Sequence, residues 1–83
     1  MDEVDYQKIK KVEFLCRQAA VSFDLCFCEP DGTYYYVINS PAKEEQWIGR
    51  SRPFNTATDN VIEWLISLLT DEARKELVSK GKI

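Results

Sequence analysis

Eighty-three residues suffice for one domain with one hydrophobic core, and a chain this short buries only about 60–65% of the surface its unfolded form exposes. With 45% hydrophobic and 30% charged residues, the chain is too apolar for disorder and too mixed for a membrane protein. A net charge of -3 argues against a general nucleic-acid binder, whose affinity rests on an excess of Lys and Arg.

The acidic start, Met1-Asp2-Glu3-Val4-Asp5, has no apolar run behind it and does not read as a secretory or transit peptide. No stretch approaches the roughly 18 apolar residues of a membrane span. Cys16, Cys26 and Cys28 are odd in number and sit in regular apolar patterns, so they read as reduced thiols in a cytoplasm.

From Asp2 to Ala20 the apolar spacing is helical, with Ile9, Val12, Cys16 and Ala19 at intervals of three and four. Asp2 or Glu3 serves the cap, and the acidic start suits the positive end of the helix dipole. Phe14 lies roughly opposite the stripe, at about 100° per residue, beside Lys10, Arg17 and Gln18.

From Ser22 to Glu29 the period changes to two, which predicts a strand with Phe23, Leu25 and Phe27 on one side. Pro30-Asp31-Gly32 supplies a preset φ, a turn-forming aspartate and a residue that accepts positive φ, so a hairpin follows. Thr33 to Asn39, rich in aromatic and β-branched residues, is the second strand. If Glu29 pairs with Thr33, then Tyr35 and Val37 share a face with Phe23, Leu25 and Phe27, while Tyr34, Tyr36 and Ile38 share the other with Cys26 and Cys28. A one-residue slip would exchange the second strand's faces.

Ser40-Pro41-Ala42 breaks that strand, and Gln46 to Arg50 is a candidate third one. Thr56 or Thr58 offers a cap for a helix from about Ala57 to Leu69, whose apolar arc makes it the central core helix. Thr70 followed by Asp71 and Glu72 reads as a fresh N-cap for a last helix to about Ser79, which Gly81 stops. The expected fold is a small α+β domain in the order α-β-β-(β)-α-α, spanning residues 1–83, with an antiparallel two- to three-stranded sheet packed against helices.

The chain has no histidine, which removes His-based triads, Cys-His nucleophile pairs and His-containing zinc sets. Gly32, Gly49 and Gly81 are isolated and form no phosphate-binding loop. Carboxylates such as Asp24, Glu29, Asp59 and Glu63 fit polar faces and a turn. The expectation is a non-enzyme with no cofactor and no metal.

Two surfaces suggest a partner. The sheet face carrying Tyr34, Tyr36 and Ile38 is more apolar than solvent tolerates, and it is covered by the last helix through Ala73, Leu77 and Val78, by a second copy of the chain, or by another protein. Phe14 is a smaller contact anchor on the first helix. The leading functional reading is a protein-binding or regulatory module that occupies a partner's surface, in the manner of phage or mobile-element accessory proteins that inhibit host systems. The alternative is a nucleic-acid-binding domain using Lys10, Lys11 and Arg17 with Arg50 and Arg52. Its element order resembles that of a double-stranded-RNA-binding domain. The second helix nevertheless begins Thr56-Ala57-Thr58-Asp59-Asn60-Val61, without a lysine pair for the phosphates.

Overall fold

A computed structural model describes residues 3–41 and 43–83, in the order α1 (Glu3–Ala19), β1 (Ser22–Cys28), β2 (Thr33–Ser40), β3 (Lys43–Ser51), α2 (Phe54–Leu68) and α3 (Asp71–Ser79). The three strands form one antiparallel sheet in the order β1-β2-β3, as a small α+β fold. Helices α1 and α2 pack on one face of it and on each other. No helix among the described residues is long and apolar enough to cross a membrane.

Helix α1 has Glu3 and Asp5 in its first turn and Arg17 in its last, both favourable to the helix dipole. Asp2, the other expected capping residue, lies outside the described residues. The helix ends in a Schellman motif: Ala20 takes φ +57°, Val21 N–H donates to the Cys16 carbonyl at 2.9 Å, and Ala20 N–H donates to that of Arg17 at 3.2 Å. A tight reversal follows, and β1 runs directly back.

The hairpin forms where expected, but its register differs by one residue. Cys28 pairs with Thr33, leaving the four residues 29–32 in the loop, with Gly32 at φ +66° and its N–H donating to the Cys28 carbonyl at 2.8 Å. Phe23, Leu25 and Phe27 therefore stand opposite Ile38, Tyr36 and Tyr34 on one face. Cys26 and Asp24 stand opposite Tyr35 and Val37 on the other. One added loop residue turns every side chain of the second strand over.

The core is a single cluster of Val12, Leu15 and Cys16 from α1, Tyr36 and Ile38 from β2, Val61, Ile62 and Leu65 from α2, then Leu69 and Leu77. Sequence spacing places the α1 and α2 members on one stripe of each helix. The third strand is longer than Gln46 to Arg50, and its pairing with β2 carries two irregularities. The Ala42 end of the preceding breaker lies outside the described residues.

Pro53, in extended conformation, is the N-cap of α2, which starts three residues before the expected Ala57. Neither Thr56 nor Thr58 caps it. Thr58 is fully buried, and its hydroxyl bonds that of Tyr36. The expected capping of α3 is observed, because Ala73 N–H donates to Thr70 Oγ1 at 3.1 Å. Gly81, at φ +70°, closes it with a second Schellman motif, in which Lys82 N–H donates to the Leu77 carbonyl at 2.8 Å.

The face carrying Tyr34, Tyr36 and Ile38 is covered by α1 and α2 and not by helix α3. Helix α3 sends Leu77 into the helical side of the core, shares a groove with Phe14 and Gln18 of α1, and leaves Val78 exposed. Among the described residues, no helix packs on the outer face of the sheet.

Candidate functional site

The residues expected to form the open apolar face are on the covered one. Tyr36 and Ile38 are buried in the core, 0% and 1% exposed. Tyr34 is half-buried between two other rings, 4.9 Å from Phe27 and edge-on to Phe54 at 5.5 Å. The hairpin register is the cause, since a loop of four residues directs these side chains toward α1 and α2. Phe14 is likewise half-buried and packs against the core, because α3 folds back beside that face of α1.

The face left open is built from β1, β2 and β3 residues of the opposite parity. Tyr35 and Trp47 stack with ring centroids 5.1 Å apart and planes 15° from parallel. Trp47 is 62% exposed, the most exposed large apolar residue among those described. Its indole N–H donates to Glu45 Oε1 at 2.7 Å, which helps to fix the ring. Val37 lies between Trp47 and Asp24 across the neighbouring strands, and Cys26 lies opposite Tyr35.

Polar contacts fix one border of this platform. The Arg50 guanidinium stands 5.8 Å from the Tyr35 ring centre and donates to Asp31 Oδ2 at 3.1 Å. The Cys28 thiol donates to the same carboxylate oxygen at 3.6 Å. Asp31 of the hairpin turn is thereby tied to β3 across the sheet. Partial desolvation, with a contact to Cys26, holds the Tyr35 hydroxyl above its ordinary range against a smaller opposing pull from Arg50. It is neutral near pH 7, as an apolar contact requires.

The basic residues do not assemble into one surface. On α1, Glu13 engages both Arg17, at 2.7 Å, and Lys10, at 3.9 Å. Lys8 is bound to Asp59 of α2 at 3.0 Å. Lys11 is half-buried on the same helix, and Arg52 is exposed in the turn before α2. Arg50 belongs to the open face, with the sheet between it and α1.

Cys16 is buried in the core, where desolvation pushes its thiol up to about 11. Cys26 and Cys28 are half-buried free thiols of the open face. Among the described residues, no group of three His, Cys, Asp or Glu side chains is placed to hold a metal ion. A groove of about 440 Å³ opens at the end of the helical layer, between Ile38, Trp64 and Leu68, with Gln46 at its margin and no titratable group among the described residues of its lining.

Sequence reasoning missed Tyr35 and Trp47 as site residues. Trp47 was legible as an aromatic in a charged segment, Lys43 to Arg50, but both faces of β2 are apolar and alternation alone does not say which of its tyrosines faces out. The chain matches no protein-family model, and no curated protein and no solved structure matches it.

Proposed function

We propose that this protein is a non-enzymatic binding module that acts by occupying the surface of a partner protein, with the uncovered sheet face as its contact. The observation that carries this reading is the stacked pair of half-buried Tyr35 and exposed Trp47, on a face where no helix packs among the described residues. Tyr and Trp are the residues from which binding hot spots are most often built, since each supplies a large rigid contact area at low entropic cost. Their stacking and the Glu45 and Arg50 contacts hold the platform in shape before a partner arrives, which lowers the ordering cost of association. Small size and surface occupancy fit an accessory protein of a phage or mobile element.

The nucleic-acid alternative is less well supported. Lys8, Lys10, Arg17 and Arg50 already have carboxylate partners, and the two basic groups lie on different layers. The test is a comparison of wild type with Trp47→Ala and Tyr35→Ala in partner capture from the native cell, followed by reconstitution with the purified partner. Loss of binding in both variants, with the thermal midpoint nearly unchanged, supports the reading. Full retention of binding by Trp47→Ala rejects the sheet face as the contact.

A further inference from the structure

The sheet has two edges, and they are built differently. The β3 edge carries Glu44, Glu45 and Arg50 in nine residues, its pairing is interrupted twice, and Gly49 presses close to the Ala57 carbonyl of α2. Charges and irregular pairing are the usual means of preventing an edge strand from accepting another. The β1 edge is regular and nearly uncharged. Its seven residues pair with β2 in unbroken register, contain no Pro or Gly, and include a single charge, Asp24. Phe27, near its end, is 53% exposed.

The order of residues along β1 is also symmetric. In Ser22-Phe23-Asp24-Leu25-Cys26-Phe27-Cys28, phenylalanine lies two positions to either side of Leu25. An isologous interface requires such self-complementarity, because residue i must meet j while j meets i. We propose that the free edge of β1 pairs antiparallel with β1 of a second copy of this chain, about a twofold axis at Leu25, to form one continuous six-stranded sheet.

The register follows from the alternatives. Centred on Leu25, all seven residues pair: Leu25 meets the partner's Leu25, Phe23 meets the partner's Phe27, and Asp24 meets the partner's Cys26. Centring on Asp24 would oppose two carboxylates, and centring on Cys26 would set Phe23 against the partner's Glu29. With the axis perpendicular to the sheet, both helical layers lie on one side. The two Tyr35–Trp47 platforms lie together on the other. The inference concerns the sheet's edge and stands independently of whether its face binds another protein.

Sedimentation velocity over a concentration series tests it, together with amide hydrogen exchange on the wild-type protein. The expected result is a species of twice the chain mass, lost in Phe27→Asp, whose circular dichroism matches wild type. Exchange in β1 is expected to slow as concentration rises while exchange in β3 does not change. A chain that sediments as a monomer up to its highest soluble concentration overturns the proposal, as does a dimer whose concentration-dependent protection falls on β3. Should Phe27→Asp fail to fold, the exchange pattern of the wild type decides.

Discussion

Tyr36 and Thr58 meet hydroxyl to hydroxyl at 2.9 Å, both fully buried, where the central strand β2 crosses under α2. A tyrosine at the centre of a small core is acceptable only because its polar end has this partner, and Thr58 occupies a position that would otherwise call for an apolar residue. The pair ties α2 to the central strand. Tyr36→Phe and Thr58→Val are each expected to destabilise the fold by about 1–2 kcal/mol, since each leaves one buried hydroxyl unpaired. The double variant should cost less than the sum by about 1 kcal/mol in urea denaturation. Strict additivity would show that the two hydroxyls do not act together.

At Gly49 the backbone of β3 comes close to that of α2. A Cβ built there would stand 2.5 Å from the Ala57 carbonyl oxygen, and the residue's φ is +78°. Gly49→Ala therefore combines a backbone clash with left-handed strain and should cost about 3 kcal/mol or more. At Gly32, φ is +66° with nothing within 4 Å of the added Cβ, so Gly32→Ala should cost only about 1 kcal/mol. Thermal unfolding of the two variants separates the effects, and equal losses would contradict the close approach of β3 to α2.

Much of this architecture is legible in the chain because local signals and tertiary packing agree. The stripe of Val12 and Cys16, the alternation of Phe23, Leu25 and Phe27, the turn Pro30-Asp31-Gly32 and the cap at Thr70 each specify an element, and each element is present. The faces of β2 are the point of failure. Pro30-Asp31-Gly32 marks a turn without saying whether Glu29 pairs or loops, and with Tyr34, Tyr36 and Ile38 on one side and Tyr35 and Val37 on the other, hydrophobicity cannot arbitrate. The partial burial of Phe14 was not legible for a different reason. Its cover, α3, arrives about sixty residues later, and helical periodicity in α1 carries no information about it.

Thr70 is a cap whose worth can be measured in isolation. Its hydroxyl accepts from Ala73 N–H at 3.1 Å, and Asp71 and Glu72 add favourable charge to the same first turn. Thr70→Ala is expected to lower stability by about 1 kcal/mol, while Thr70→Asp, which retains an acceptor, should stay near wild type. Because α3 is anchored to the core mainly through Leu77, loss of the cap should also raise hydrogen exchange in α3 before the rest of the chain opens. Uniform acceleration in all three helices would instead mean that α3 unfolds only with the whole domain.

Alkaline pH offers a direct probe of the core. Burial raises the Cys16 thiol from 9.0 to about 11, and burial likewise raises the Tyr36 hydroxyl, partly offset by its bond to Thr58. In both cases the folded protein holds the proton more tightly than the unfolded chain. Their contribution to stability is therefore fully present below the unfolded pKa and is lost as pH rises through the folded one. For Cys16 the window runs from 9.0 to about 11, and the loss across it is at most about 3 kcal/mol. Urea midpoints should thus fall steadily above roughly pH 9, and Cys16→Ala, less stable at neutral pH because of the cavity, should show a shallower decline. The residual slope belongs to Tyr36 together with Tyr35, whose hydroxyl is also raised, and it should diminish in Tyr36→Phe. A wild-type midpoint that stays flat through this range would mean that neither group is held protonated by the core.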